Sequence, residues 1–259
     1  MTAATDLPPA TANAVSLLLL SMADDEFVIG FSDSEWTGIA PLLEEDVAIS
    51  SIAQDELGHA QALYRLLAEL SEDGRDADGW AYDRPPEAYC HARLLDHPRG
   101  DWAATIARRY LYDTADAVRL DALAASSWQP LRELVAKIRR EERYHLMHVA
   151  AWLDRLAAAG EPRRRLIDAL ERLAPDAATV LAPLPDEPSL LEADVIGAPA
   201  VELDRRWRAQ IGPTFDRLDL PMPPQAADPG RARANHSEAF RALHREFTSV
   251  RALDPKATW

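Results

Sequence analysis

A single cysteine, Cys90, occurs in the 259 residues, which excludes an internal disulfide and fits a reducing compartment. Glycine is scarce, with 10 residues, and most of the 19 prolines fall outside the long periodic stretches. Positive charge is also in short supply: 28 Lys and Arg face 43 Asp and Glu, a formal charge of −15. That balance argues against nonspecific binding to nucleic acid or to an anionic membrane, and it favours a basic partner surface. No run approaches the roughly 18 consecutive apolar residues of a membrane span. The four leucines at 17–20 follow no basic segment and are too few for a signal peptide, so a cytoplasmic location is expected. No low-complexity segment, glycine-rich phosphate loop or Ser-His-Asp arrangement is present.

What remains is rich in Ala, Leu, Arg and Glu, good helix formers all. The expected fold is all-α: one ferritin-like domain over 1–259, with a four-helix core at about 10–160 and accessory helices at about 161–259. Helix one is predicted from Ala10 to Trp36, stopped by Gly38, and helix two is opened by Pro41 and runs to Leu70. Residues 71–100 are polar and broken by Gly and Pro, with one short helix near 87–95. Asp101 is placed as the N-cap of helix three, which ends near Ser126. Pro130 opens helix four, and Gly160 with Pro162 closes it. Less regular helices are expected at 163–182 and 200–217. A Pro-rich linker at 220–229 then leads to a last helix at 236–252. Helices one plus two match three plus four in length and tight turn, which predicts two antiparallel hairpins.

The chemistry lies in two ExxH segments, Glu56-Leu57-Gly58-His59 and Glu142-Arg143-Tyr144-His145. On helix two, Ile49, Ile52, Leu63, Leu66 and Leu70 define the apolar seam, and steps of three and four put Glu56 and His59 inside it. On helix four, Leu131, Leu134, Ile138, Val149, Trp152 and Leu156 place Glu142 and His145 the same way. Glu26 falls in the seam of helix one (Val15, Leu18, Leu19, Met22, Ile29), with Asp25 as its neighbouring alternative. Asp113 falls in that of helix three (Trp102, Ile106, Tyr110, Ala117, Leu120, Ala124), with Asp116 as its rival. Glu26 precedes Glu56 by 30 residues and Asp113 precedes Glu142 by 29, so the two hairpins can bring all six groups to one level.

Four carboxylates buried together would repel and take up protons. Two divalent cations would neutralise them, and two imidazoles complete a mixed nitrogen–oxygen set suited to iron or manganese. The expected metal ligands are therefore Glu26, Glu56, His59, Asp113, Glu142 and His145, with Glu56 and Glu142 bridging. A metal-free polar network of the same residues is the alternative, in which Glu56 or Glu142 pairs with an arginine. Asp55 and Glu141, flanking the motifs, are expected to pair with arginines. Tyr110 and Tyr144 are read as core packing, His148 as a residue beside the site or at the surface. His91, His97, His236 and His244, without ligand-like neighbours, are read as surface or interhelical contacts, and Arg163-Arg164-Arg165 as a solvated helix start.

At these residues the chain resembles a known family. The runs Ile52-Ala-Gln-Asp-Glu-Leu-Gly-His-Ala60, Thr105-Ile-Ala-Arg-Arg-Tyr-Leu-Tyr-Asp113 and Glu141-Glu-Arg-Tyr-His-Leu146 are similar to the C subunit of bacterial phenylacetyl-CoA ring 1,2-epoxidases. So is the closing pattern from His236-Ser-Glu through Leu243 to Pro255 and Trp259. The resemblance spans about 15–259 and implies a role in aerobic phenylacetate catabolism. It implies a usually metal-free partner of a catalytic, di-iron A-type subunit, with self-association as a further expectation. The intact ExxH pairs here depart from that pattern and keep open a self-sufficient di-iron or di-manganese oxidase.

Overall fold

Residues 21–30 are buried without exception, so the helix that carries them cannot lie on the surface; a helix apolar or compensated on every side sits inside its domain. In the computed structural model, which describes residues 7–71, 73–158, 160–225 and 232–254, this is α1, Pro9–Ser34. It packs along α2, Leu43–Leu70. A second hairpin joins α4, Trp102–Leu123, to α5, Gln129–Ala157. The four form the expected bundle, and among the described residues there is no strand.

The local signals acted where chemistry required them. Asp101 caps α4 by accepting from Ala104 N at 2.9 Å, and Pro130 sits in the first turn of α5. Gly38 takes φ 85°, a left-handed conformation that glycine adopts freely, and its N–H is held by Asp46 Oδ1 at 2.8 Å. Pro41 lies before α2 rather than inside it, because extended Leu42 serves as the N-cap.

The remaining elements wrap the bundle. Between the hairpins lie α3, Ala77–Tyr82, and two 3-10 turns, Pro86–Ala88 and Arg93–Asp96, in place of the one short helix expected. The helix expected at 163–182 divides into α6, Gly160–Leu173, and a 3-10 stretch, Ala174–Leu181. Pro175 follows that break and cannot supply the N–H a continuing α-helix needs. A short α7, Glu187–Glu192, carries no periodic signal. α8, Ala200–Leu218, lies against α4 through Trp207 Nε1, which donates to Thr114 Oγ1 at 2.9 Å. The last expected helix divides into α9, Glu238–Phe247, and α10, Ser249–Leu253. Pro255, Trp259 and the 226–229 part of the linker lie outside the described residues.

The 71–100 region returns to meet the C-terminal helices at Asp96. Its carboxylate accepts from His91 Nε2 at 2.6 Å, His236 Nδ1 at 3.1 Å and Ser237 N at 3.0 Å. The two imidazoles stack at 4.0 Å, and His236 Nε2 donates to Tyr89 O at 2.8 Å. His91 and His236 therefore do have a carboxylate neighbour, contrary to the sequence expectation. Asp96 gives no signal in the sequence because nothing local brings the two histidines together. His97 bonds Asp176 and His244 bonds the Arg84 carbonyl, interelement contacts as expected.

Burial works against the Asp96 charge, but the hydrogen bonds from His236 and His91 hold its carboxyl well below the ordinary carboxylate range. A depressed folded-state value means that its stabilisation is present above about pH 4 and is lost as pH falls further. Asp96→Asn should therefore cost about 3 kcal/mol at pH 7, read by urea unfolding, and the loss should shrink between about pH 4 and pH 2. An equal loss at both ends of that window would contradict the assignment.

Candidate metal centre

Glu26 from α1, Glu56 and His59 from α2, Asp113 from α4, and Glu142 and His145 from α5 converge in the bundle interior, each buried. Close approach of α1 and α2 makes this possible: a Cβ at Gly30 would meet Glu56 Cβ at 2.9 Å and Ala53 O at 3.1 Å. His59 Nδ1 lies 3.5 Å from Glu26 Oε2 and 3.6 Å from both Glu56 Oε2 and Glu142 Oε1. His145 Nδ1 lies 3.1 Å from Glu142 Oε1 and 3.4 Å from Glu56 Oε1. Glu56 and Glu142 thus each sit between the two imidazoles.

The outer ring nitrogens are held crosswise. His59 Nε2 meets Glu141 Oε2 at 2.8 Å, and His145 Nε2 meets Asp55 Oδ2 at 3.3 Å. Asp55 and Glu141 meet histidines and not the arginines that the sequence leads one to expect; one residue N-terminal to each inward Glu, they reach across to the opposite hairpin. A carboxylate on one ring nitrogen turns the other toward the interior and raises its basicity, the usual support of a metal-binding histidine.

The two halves of the cluster are not alike. Ligand atoms of Glu26, Glu56, His59 and Glu142 all lie within 4.8 Å of one another. Both oxygens of Glu26, Oε2 of Glu56, Nδ1 of His59 and Oε2 of Glu142 are buried without a hydrogen-bond partner. Such atoms are costly unless something satisfies them, and this donor set fits a cation. In the other half stands Arg109. Its Nη2 is 2.6 Å from Glu56 Oε1 and 3.0 Å from Asp113 Oδ1, and it approaches His145 Nδ1 at 3.5 Å. Nη1 reaches Asp33 Oδ2 at 3.2 Å. Neither Asp113 oxygen has an aligned hydrogen bond, despite the short approach of Arg109.

Protons complete the charge balance when no ion is bound. Burial, then the neighbouring Glu56 carboxylate, pushes Glu26 well above the usual range, which favours its protonated form. Burial likewise raises Asp113, which Arg109 only partly offsets. Burial also opposes the charge of Glu56, but the Arg109 guanidinium beside it holds it well below the usual range. Burial would lower both histidines, yet Glu26 and Glu56 pull His59 up to about 12, and Glu142 and Glu56 pull His145 up to about 11. A divalent ion would displace these protons, because only deprotonated groups ligate.

The alternatives left open by the sequence separate clearly. Asp25 faces away from the centre, bonded to Arg119 at 2.6 Å, Arg233 at 2.9 Å and Ala92 N at 2.6 Å. Asp116 pairs with Arg119 and is raised by burial to about 6. Tyr110 packs on Phe215, as expected, whereas Tyr144 is exposed at the surface. His148 bonds Glu45. Arg163 is no solvated start: it bonds the carbonyls of Ala157 and Leu218, tying α5 to α8. Sequence reasoning misses Arg109 as a member of the cluster. The signal is there, since Arg109 precedes Asp113 by one helical turn and so shares its face.

A bundle with crossed carboxylate–histidine pairs on facing helices defines a ferritin-like protein whose buried groups could hold a metal. The chain belongs to the phenylacetic acid catabolic protein family, whose model matches residues 1–259. It is 28% identical over 252 residues to the C subunit of 1,2-phenylacetyl-CoA epoxidase from Escherichia coli (strain K12), covering 95% of this chain and 100% of that relative. It is 26% identical over 151 residues to the A subunit of the same enzyme, covering 58% of this chain and 48% of that relative.

Because Gly30 has no room for a side chain against Glu56, Gly30→Ala should part α1 from α2 at the cluster. The expected loss is about 1–3 kcal/mol of stability by thermal or urea unfolding, as for other overpacked cores. Stability equal to the wild type would show that the helices give way freely there.

Proposed function

We propose that this chain is the C-type partner subunit of a multicomponent phenylacetyl-CoA 1,2-epoxidase, acting in aerobic phenylacetate catabolism beside a catalytic A-type subunit. The observation that carries this reading is the end-to-end correspondence with the C subunit of the Escherichia coli enzyme, against a match to under half of its A subunit. The arginine within the cluster supports a partner role, because Arg109 takes up coordination capacity that a dinuclear oxidase would need for its metals.

The residues do structural work in this reading. Arg109 joins α4 to α1 through Asp33 and to α2 through Glu56, and the crossed pairs of Asp55 and Glu141 join α2 to α5. The bundle therefore presents a stiff outer surface. On it Leu43 and Val47 of α2 and Tyr144 and Met147 of α5 are exposed. Apolar side chains left in water on a bundle face suit a protein partner. The role proposed is a cytoplasmic one, and no helix among the described residues is long and apolar enough to cross a membrane.

A second reading, a self-sufficient di-iron or di-manganese oxidase, is favoured by the unpartnered oxygens of Glu26, Glu56 and Glu142. Iron or manganese held there by Glu26, Glu56, His59 and Glu142 would supply redox chemistry with dioxygen. Co-expression with an A-type chain distinguishes the readings. The partner role predicts one complex containing both chains on size exclusion and no ring oxidation by this chain alone. Separate elution of the two chains, or turnover by this chain alone, would overturn it.

A further inference from the structure

We propose that Arg109 is a built-in replacement for one of two cations, so that this chain's centre takes a single divalent ion, bound by Glu26, Glu56, His59 and Glu142. The inference concerns the cluster itself and does not depend on the proposed partner role.

Four carboxylates in one dry volume need compensation, and two donor sets that share Glu56 would provide for two ions. One set is Glu56, Asp113 and His145. Its interior is the site of the Arg109 guanidinium, whose Nη2 contacts Glu56 at 2.6 Å and Asp113 at 3.0 Å. A guanidinium does not give up its proton in a protein, so the positive charge there is permanent. Nor is the side chain free to leave: it is 2% exposed, and its other nitrogen is held by Asp33, which Arg108 also bonds at 3.0 Å. An entering ion would have to displace a buried cation from two carboxylates and strand it, which strongly disfavours a second metal.

The other set lacks such a cation. Glu26 meets no arginine among the described residues, and its two oxygens, with Glu56 Oε2, Glu142 Oε2 and His59 Nδ1, have no hydrogen-bond partner although all are buried. The four residues come from three helices, and one ligand atom from each lies within 4.8 Å of the others. One ion satisfies them together. Three carboxylates and one imidazole form a hard, oxygen-rich set without thiolate, which suits Mn(II) or Fe(II). Glu56 then lies between the two positive centres, one oxygen toward the guanidinium and the other toward the ion.

The test is to load the full chain anaerobically with Mn(II) and pass it through a Mg(II) buffer to remove ions held by surface acids. Bound manganese is then measured by elemental analysis and electron paramagnetic resonance. The expected result is about one tightly held ion per chain with the signal of an isolated Mn(II). Two ions per chain, a spin-coupled pair, or no retained ion would each overturn the proposal. Glu26→Gln should weaken retention at least about tenfold with its helical circular dichroism intact, and undiminished retention would contradict the ligand set. Arg109→Ala should admit a second ion and Arg109→Lys should not; a folded Arg109→Ala that still holds one would also count against it. If Arg109→Ala does not fold, the wild-type stoichiometry and Glu26→Gln decide the matter.

Discussion

Carboxylates placed where water cannot reach them must be neutralised, and that requirement organises the interior of this bundle. Asp24, Asp25 and Glu26 are consecutive and all fully buried. Successive residues on a helix point about 100° apart, so the three acids face three different neighbours. Asp24 is met by Arg84, Tyr64 and the Cys90 N–H. Asp25 is met by Arg119 of α4 and by Arg233 from the C-terminal part. Glu26 meets no arginine among the described residues and faces the centre. A single turn of α1 thus fixes the broken region, the second hairpin and the accessory helices at once.

The same requirement explains why the cluster is lopsided. The two ExxH motifs repeat, and the outer carboxylates Asp55 and Glu141 repeat with them, so the supports are nearly two-fold. The cations are not. α4 supplies Arg109 to its half, whereas α1 offers no basic residue to the other. Burying an arginine among carboxylates is tolerable only when its hydrogen bonds are met, and Asp33, paired with both Arg108 and Arg109, meets that need. A fold whose buried groups could hold a metal can in this way keep Glu56 charged and its helices aligned with a side chain instead.

Much of this is legible in the sequence. The apolar steps of three and four place Glu26, Glu56, His59, Asp113, Glu142 and His145 in the seams, and the matched offsets place them at one level. What periodicity does not reveal is the partner of each group. Asp25 and Glu26 are neighbours, and only the positions of Arg119 and Arg233 decide which one turns to the centre. Asp55 and Glu141 reach histidines rather than the expected arginines because the crossing of the hairpins is a tertiary fact. His91 and His236 lie far apart in the chain, and only its return past Asp96 makes them a pair. Short elements such as α3 and α7 carry too few residues for a period to show.

Arg109 is the residue on which most depends, and the stability of the metal-stripped protein tests its role directly. Chelator-treated wild type and Arg109→Met would be unfolded side by side in urea at pH 7, with and without added Mn(II). If the guanidinium neutralises Glu56 and Asp33, the stripped variant should be less stable by about 3–5 kcal/mol and should recover part of that loss when manganese is added. A stripped variant as stable as the wild type would show that these buried acids need no resident cation, and would contradict the account.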